Sequence, residues 1–135
     1  MLSDLGNTGQ ILVWNIGFER SKLNALALLY PQYEDKINAV TERMVDLAIP
    51  FQMKWIYDNK LSCSYSIKSV LPIVAPDLSY DQLDVGNGQD ASLLFQRMMA
   101  EPNKDWSVER QHLLNYCKLD TWAMVLVYRY LNTLV

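Results

Sequence analysis

The chain has 135 residues, half of them hydrophobic and a fifth charged, with twelve Lys and Arg against fifteen Asp and Glu and a net charge of -3. This composition supports one buried core and excludes a disordered tail. It also excludes a basic protein that coats nucleic acid by charge alone, though not one that handles nucleic acid through bound cations. Two cysteines 54 positions apart, Cys63 and Cys117, form neither a disulfide framework nor a C-x-x-C knuckle, so a reducing cytoplasm is expected. No signal-peptide pattern opens the chain. The longest wholly apolar run, Trp122 to Tyr128, is far shorter than the roughly twenty residues of a membrane span.

In chain order, residues 1–9 read as the tail of a helix followed by a glycine-bearing turn. Ile11-Leu12-Val13-Trp14 is an apolar run bounded by turn formers, as in a buried strand of a parallel or mixed sheet. A helix follows, with Leu23, Leu26 and Tyr30 on one face and Pro31 ending it. A second helix is predicted from Gln32 to about Leu47 on Ile37, Val40, Met44 and Leu47, and Pro50 ends it. Phe51 to Tyr65 is aromatic and irregular, more suited to core packing than to stacking on bases. Ser66 to Val74 is a short helix carrying Pro72, so a kink is expected there. Residues 77–90 are turn-rich, Asp90 is a candidate N-cap for a helix over Ala91 to Ala100, and a last helix runs from Ser107 to about Leu131. One strand stands among five or six helical segments, with no internal repeat.

Two carboxylates stand out. Along the last helix, Leu113, Cys117, Met124, Val127 and Leu131 define a stripe on which position 120 is an aspartate. A carboxylate placed among apolar side chains needs a partner: a metal, an Arg or backbone N–H groups. Tyr116 lies one turn before Asp120. Glu19 follows the strand directly, where α/β proteins place their sites, although a helix dipole alone also favours an acid there.

Asn15-Ile16-Gly17-Phe18-Glu19 and Tyr116-x-x-x-Asp120 together resemble the second and third motifs of the DEDD exonuclease superfamily, tyrosine subtype. The longer stretches ILVWNIGFERSKLNALALLYP, RMVDLAIPF, SYSIKSVLP and LLNYCKLDTWAMV are similar to a bacterial family of uncharacterised proteins with such a domain. The resemblance covers nearly the whole chain, residues 1–135, as a single domain. It implies a ribonuclease H-like α/β fold, helix-rich with few strands, and two-metal phosphodiester hydrolysis using Mg²⁺ or Mn²⁺. Glu19 and Asp120 would be metal ligands, and Tyr116 would orient the attacking water. Asn15 and Phe18 would support the strand end and the substrate, and Lys68 would touch phosphate. Solvation at the surface is the plainer role for Lys68 and Lys118. Glu at position 19, where the superfamily has Asp, adds a methylene. Asp46 resembles a position near the site, with a helix-end carboxylate as the simpler reading.

The superfamily's first motif, D-x-E, occurs nowhere in this sequence. The resemblance therefore implies an N-terminally incomplete domain, the C-terminal part of a 3′–5′ exonuclease, inactive alone. Its complete form would act on single-stranded 3′ ends in the cytoplasm, without a membrane. A second Y-x-x-x-D spacing, Tyr80 to Asp84, lies in the turn-rich segment and reads as loop. The only histidine, His112, is out of register for the histidine subtype and reads as a polar surface residue. The alternative is a non-catalytic interaction or oligomerisation module, self-associating through the open edge of an incomplete sheet.

Overall fold

Alternation of apolar runs with helical periodicity produces a helix-rich α/β arrangement with one small parallel sheet in the computed structural model, which describes residues 2–61 and 64–134. Cys63 lies outside the described residues. The chain divides into two compact units, residues 1–57 and 58–135.

In the first unit, strand β1 (Ile11–Val13) pairs in parallel with β2 (Met44–Asp46), with Ile11 opposite Met44 and Val13 opposite Asp46. The crossover between them is helical: α1 (Ile16–Leu29), a 3-10 turn at Pro31–Tyr33, and α2 (Glu34–Glu42). A parallel pair requires such a crossover, because two strands running the same way cannot be joined by a hairpin. The short helix α3 (Ile49–Gln52) follows β2.

Three sequence expectations fail in this unit. The helix expected from Gln32 to Leu47 stops at Glu42, and Met44–Asp46 is a strand. Met44 and Leu47 continue the helical spacing of Ile37 and Val40, and a strand of three residues is too short to display its own period. Pro50 does not end a helix; it sits in the first turn of α3, where its missing N–H costs nothing. The expected helix tail in residues 1–9 is also absent: residues 2–5 are turn, and Gly6 and Gly9 have φ of +56° and +84°. Arg43 holds this segment to the start of β2, its guanidinium donating to the carbonyls of Gly6 (2.9 Å), Thr8 (2.8 Å) and Gly9 (3.1 Å).

The second unit is built on α6 (Ser107–Asn132), which packs against α4 (Ile67–Val74) and α5 (Gly88–Ala100). Ser66 caps α4 with its side chain, and Pro72 lies inside that helix. The cap of α5 is Asn87 rather than Asp90; the Asn87 Oδ1 accepts the Asp90 N–H at 2.9 Å. Leu71, Tyr80 and Ala123 form the buried cluster, flanked by Ile67, Leu119 and Leu126.

The buried face of α6 is rotated from the expected stripe. Ala123 and Val127 are fully buried, and Tyr116, Leu119 and Leu126 flank the core, whereas Cys117 is exposed. Apolar residues occur on both sides of this helix, so its spacing fits more than one face. The small Ala123 lets α4 approach where a bulkier residue would hold it off. Asp120 is partly buried beside this corrected face. No helix among the described residues is long and apolar enough to cross a membrane.

Candidate functional site

The residues singled out in the sequence fall into two groups, one in each unit. In the first, β1 ends at Val13 and the chain turns at Asn15 into α1. Asn15 adopts a left-handed backbone, φ 70° and ψ 71°, which asparagine tolerates better than most residues. Its Oδ1 accepts the Phe18 N–H at 3.4 Å, so Asn15 both makes the turn and caps the helix. Asn15 thus shapes the strand end through the backbone.

The turn rests on Asp46. This buried carboxylate, at the end of β2, accepts the N–H groups of Asn15 (3.2 Å), Ile16 (2.8 Å) and Ala48 (2.9 Å). It occupies the N-terminus of α1, where the helix dipole favours negative charge. Asp46 is thus not, as expected, a carboxylate at the end of its own helix but the last residue of a strand, and it serves the start of a helix thirty residues upstream. Glu19 sits in the first turn of α1, partly buried, and that burial raises its carboxyl above the ordinary range. Phe18 is more than half exposed, with the Lys22 ammonium 5.0 Å from its ring centroid.

The second group gathers around Asp120. Its Oδ1 accepts the hydroxyl of Tyr80 at 2.6 Å, a short charge-assisted bond. The rings of Tyr80 and Tyr116 meet edge to face at 6.0 Å between centroids. Lys68 places its ammonium 5.5 Å from the Tyr80 ring centroid and donates to the Gly86 carbonyl. It is therefore held against the turn-rich segment, not freely solvated. Gly88 opens α5 beside Tyr116; a Cβ there would stand 3.6 Å from the tyrosine hydroxyl. Burial, reinforced by the Asp120 charge, raises the ionisation of Tyr80 far above the ordinary phenol range, and the same two causes push Tyr116 up to about 12. Both phenols are thus held as neutral hydroxyls able to donate to a carboxylate or a bound oxygen.

Tyr80 is the residue that sequence reasoning missed. Its segment is indeed non-helical, a 3-10 turn at Tyr80–Gln82, but its side chain is 4% exposed and contacts Asp120 directly. The available signal was the company it keeps: a large aromatic between Leu78 and Leu83 in an otherwise polar stretch. His112 is half-buried and lies 3.4 Å from the Asp84 carboxylate, so it ties α6 to that same stretch.

Among the described residues, no group of three or more His, Cys, Asp or Glu is arranged to hold a metal ion. The immediate partners of Asp120 are a hydroxyl and, beyond it, a lysine, which is not a cation-binding donor set. A two-ion centre does not fit the described residues alone.

Residues 1–66 match the family described as Domain of unknown function (DUF2779). The match spans Asn15, Phe18, Glu19 and Asp46 and stops short of Lys68, Tyr116 and Asp120. No curated protein and no solved structure matches the chain. The similarity thus covers the parallel strand pair and its helical crossover, the part of the chain in which Asp46 fixes the turn leading to Glu19.

Proposed function

We propose that this chain is the C-terminal part of a ribonuclease H-like, metal-dependent 3′–5′ exonuclease domain that hydrolyses nucleic-acid phosphodiesters and does not turn over alone. The observation that carries the reading is the placement of Tyr116 and Asp120 on one side of α6, with the carboxylate held by Tyr80. The parallel β1–β2 pair and the acid just past its first strand support it. In this reading Glu19 and Asp120 are metal-ligand carboxylates that need further acids to complete them. Tyr116, neutral well beyond physiological pH, offers a hydroxyl to orient water.

The test is exposure of a 3′-labelled single-stranded oligonucleotide to the purified chain with Mg²⁺ or Mn²⁺. No shortening is expected. Shortening abolished by Asp120→Asn would place a complete site in this chain, against the proposed incompleteness. Shortening that persists in both Asp120→Asn and Glu19→Gln would overturn the assignment of these residues.

One observation favours a second reading, a non-catalytic interaction module. Helix α1 contains no buried residue, and Leu28 and Leu29 are 84% and 71% exposed. An apolar helix surface of this kind marks a contact with something else. Sedimentation distinguishes the readings: a stable oligomer dispersed by Leu28→Glu, with no nucleic-acid dependence, favours the module.

A further inference from the structure

We infer that the outer face of α6, which carries Arg110, Lys118 and Arg129 together with the exposed rings of Trp122 and Tyr128, is a track for single-stranded nucleic acid. This inference rests on the functional reading above, which makes single-stranded nucleic acid the substrate; the track itself runs on the side of α6 away from Tyr116 and Asp120.

At about 100° per residue, the face turned away from Ala123 and Val127 contains positions 114, 118, 121 and 125, with 110, 122, 128 and 129 at its borders. A shallow groove lies here, lined by Leu114, Cys117, Lys118, Thr121, Trp122 and Val125. Lys118 is the one charged residue lining this apolar groove, and Arg110 and Arg129 stand at the borders of the same face. Arg110, Lys118 and Arg129 are all exposed. The two acids of α6, Glu109 and Asp120, fall on the opposite side of the helix, nearer its packed face. In a chain of net charge -3, one helix face bearing three cations and no carboxylate is a local reversal of sign. The three cations span about 28 Å, in steps of about 12 and 16 Å, so each could reach a separate phosphate on an extended strand. Between and beside them stand flat rings. Trp122 remains 43% exposed beneath the Arg129 guanidinium, 5.4 Å from its ring centroid, and Tyr128 is 45% exposed. Exposed cations on the same face as exposed aromatic rings are what sequence-tolerant binding of unpaired bases requires.

Charge decides against a second copy as the occupant. Two such faces laid together would set cations against cations, with no acid on either to offset them.

The test uses the full chain and a fluorescently labelled oligothymidylate of about 20 nucleotides, followed by anisotropy in EDTA. EDTA removes hydrolysis, so binding and cleavage succeed or fail separately. Expected is saturable binding whose log affinity falls with log salt with a slope of about -2, the release expected for three phosphate contacts on a single strand. The triple variant Arg110→Gln, Lys118→Gln, Arg129→Gln should weaken binding at least about tenfold and flatten that slope. Trp122→Ser should weaken it about fivefold or more through lost stacking. Removing Lys36, Lys54 and Lys60, exposed cations elsewhere, changes net charge equally and should alter affinity by no more than about threefold. All these positions are exposed, and unchanged far-ultraviolet dichroism checks that each variant folds. Absence of saturable binding, or equal losses in the two triple variants, overturns the inference. So does a dimer that Trp122→Ser converts to monomer without any oligonucleotide binding, which would make this face a protein interface.

Discussion

Asp46→Ala is expected to destabilise the first unit by at least about 3 kcal/mol, because it strips one acceptor from three backbone N–H groups at once. A lost bond to a charged acceptor costs about 1.5–3 kcal/mol, and of the orphaned donors Ala48 is fully buried, Ile16 partly buried and Asn15 exposed. The effect should be local before it is global. Amide exchange at Ile16 and Ala48 should accelerate first, since these donors lose their partner in the folded state. Asp46→Asn keeps the shape but leaves one oxygen to serve three donors, so an intermediate loss is expected. Denaturant titration with amide exchange on the three proteins checks the order. A near-neutral Asp46→Ala would mean that Asp46 does not hold the turn at Asn15, and with it the placement of Glu19.

The second large effect concerns Tyr80. Tyr80→Ala empties a buried aromatic site beside Leu71 and Ala123 and is expected to cost about 3–5 kcal/mol. Tyr80→Phe keeps the ring and removes only the hydroxyl on Asp120, for an expected loss of about 1–2 kcal/mol. The two variants thus separate packing from the hydrogen bond. pH adds a third handle. Folding favours the neutral form of Tyr80 and of Tyr116, so the folded chain holds its phenolic protons to higher pH than the unfolded chain does. Stability is unaffected by these groups below the ordinary tyrosine range and is lost as pH rises above about 10. Tyr80→Phe should therefore flatten the alkaline limb of the stability curve, and ultraviolet titration should show two phenols ionising after the rest. An alkaline limb unchanged in Tyr80→Phe would contradict the burial and pairing of this hydroxyl.

Long elements with clear punctuation were legible in the sequence. The apolar run before Asn15 marks β1, Pro31 ends the helix that follows, and the last helix extends within a residue of its expected span. The losses have physical causes. β2 is three residues long and follows α2 across a single residue, so helical spacing conceals it. The register of α6 was misjudged because Leu114, Trp122 and Val125 put apolar side chains at helical spacing on its outer side as well as its inner one. Tertiary packing, with Leu71 of α4 and Tyr80 against Ala123, selects the buried face. Asp120 stood out as a carboxylate needing a partner, and it has one. That partner, Tyr80, is forty residues away in a segment with no periodicity, which one-dimensional spacing does not reveal.

The roles assigned to Glu19, Tyr116 and Asp120 are tested most directly by restoring what the resemblance says is missing. A chain extended ahead of Met1 by strands carrying a D-x-E pair would be given a 3′-labelled single-stranded oligonucleotide and Mn²⁺. Stepwise shortening from the 3′ end is expected, falling at least about a hundredfold with Asp120→Asn or Glu19→Gln, and by a similar factor with Tyr116→Phe. Shortening that survives Asp120→Asn, or an extended chain that folds and binds the oligonucleotide yet never cleaves it, would contradict the proposed function.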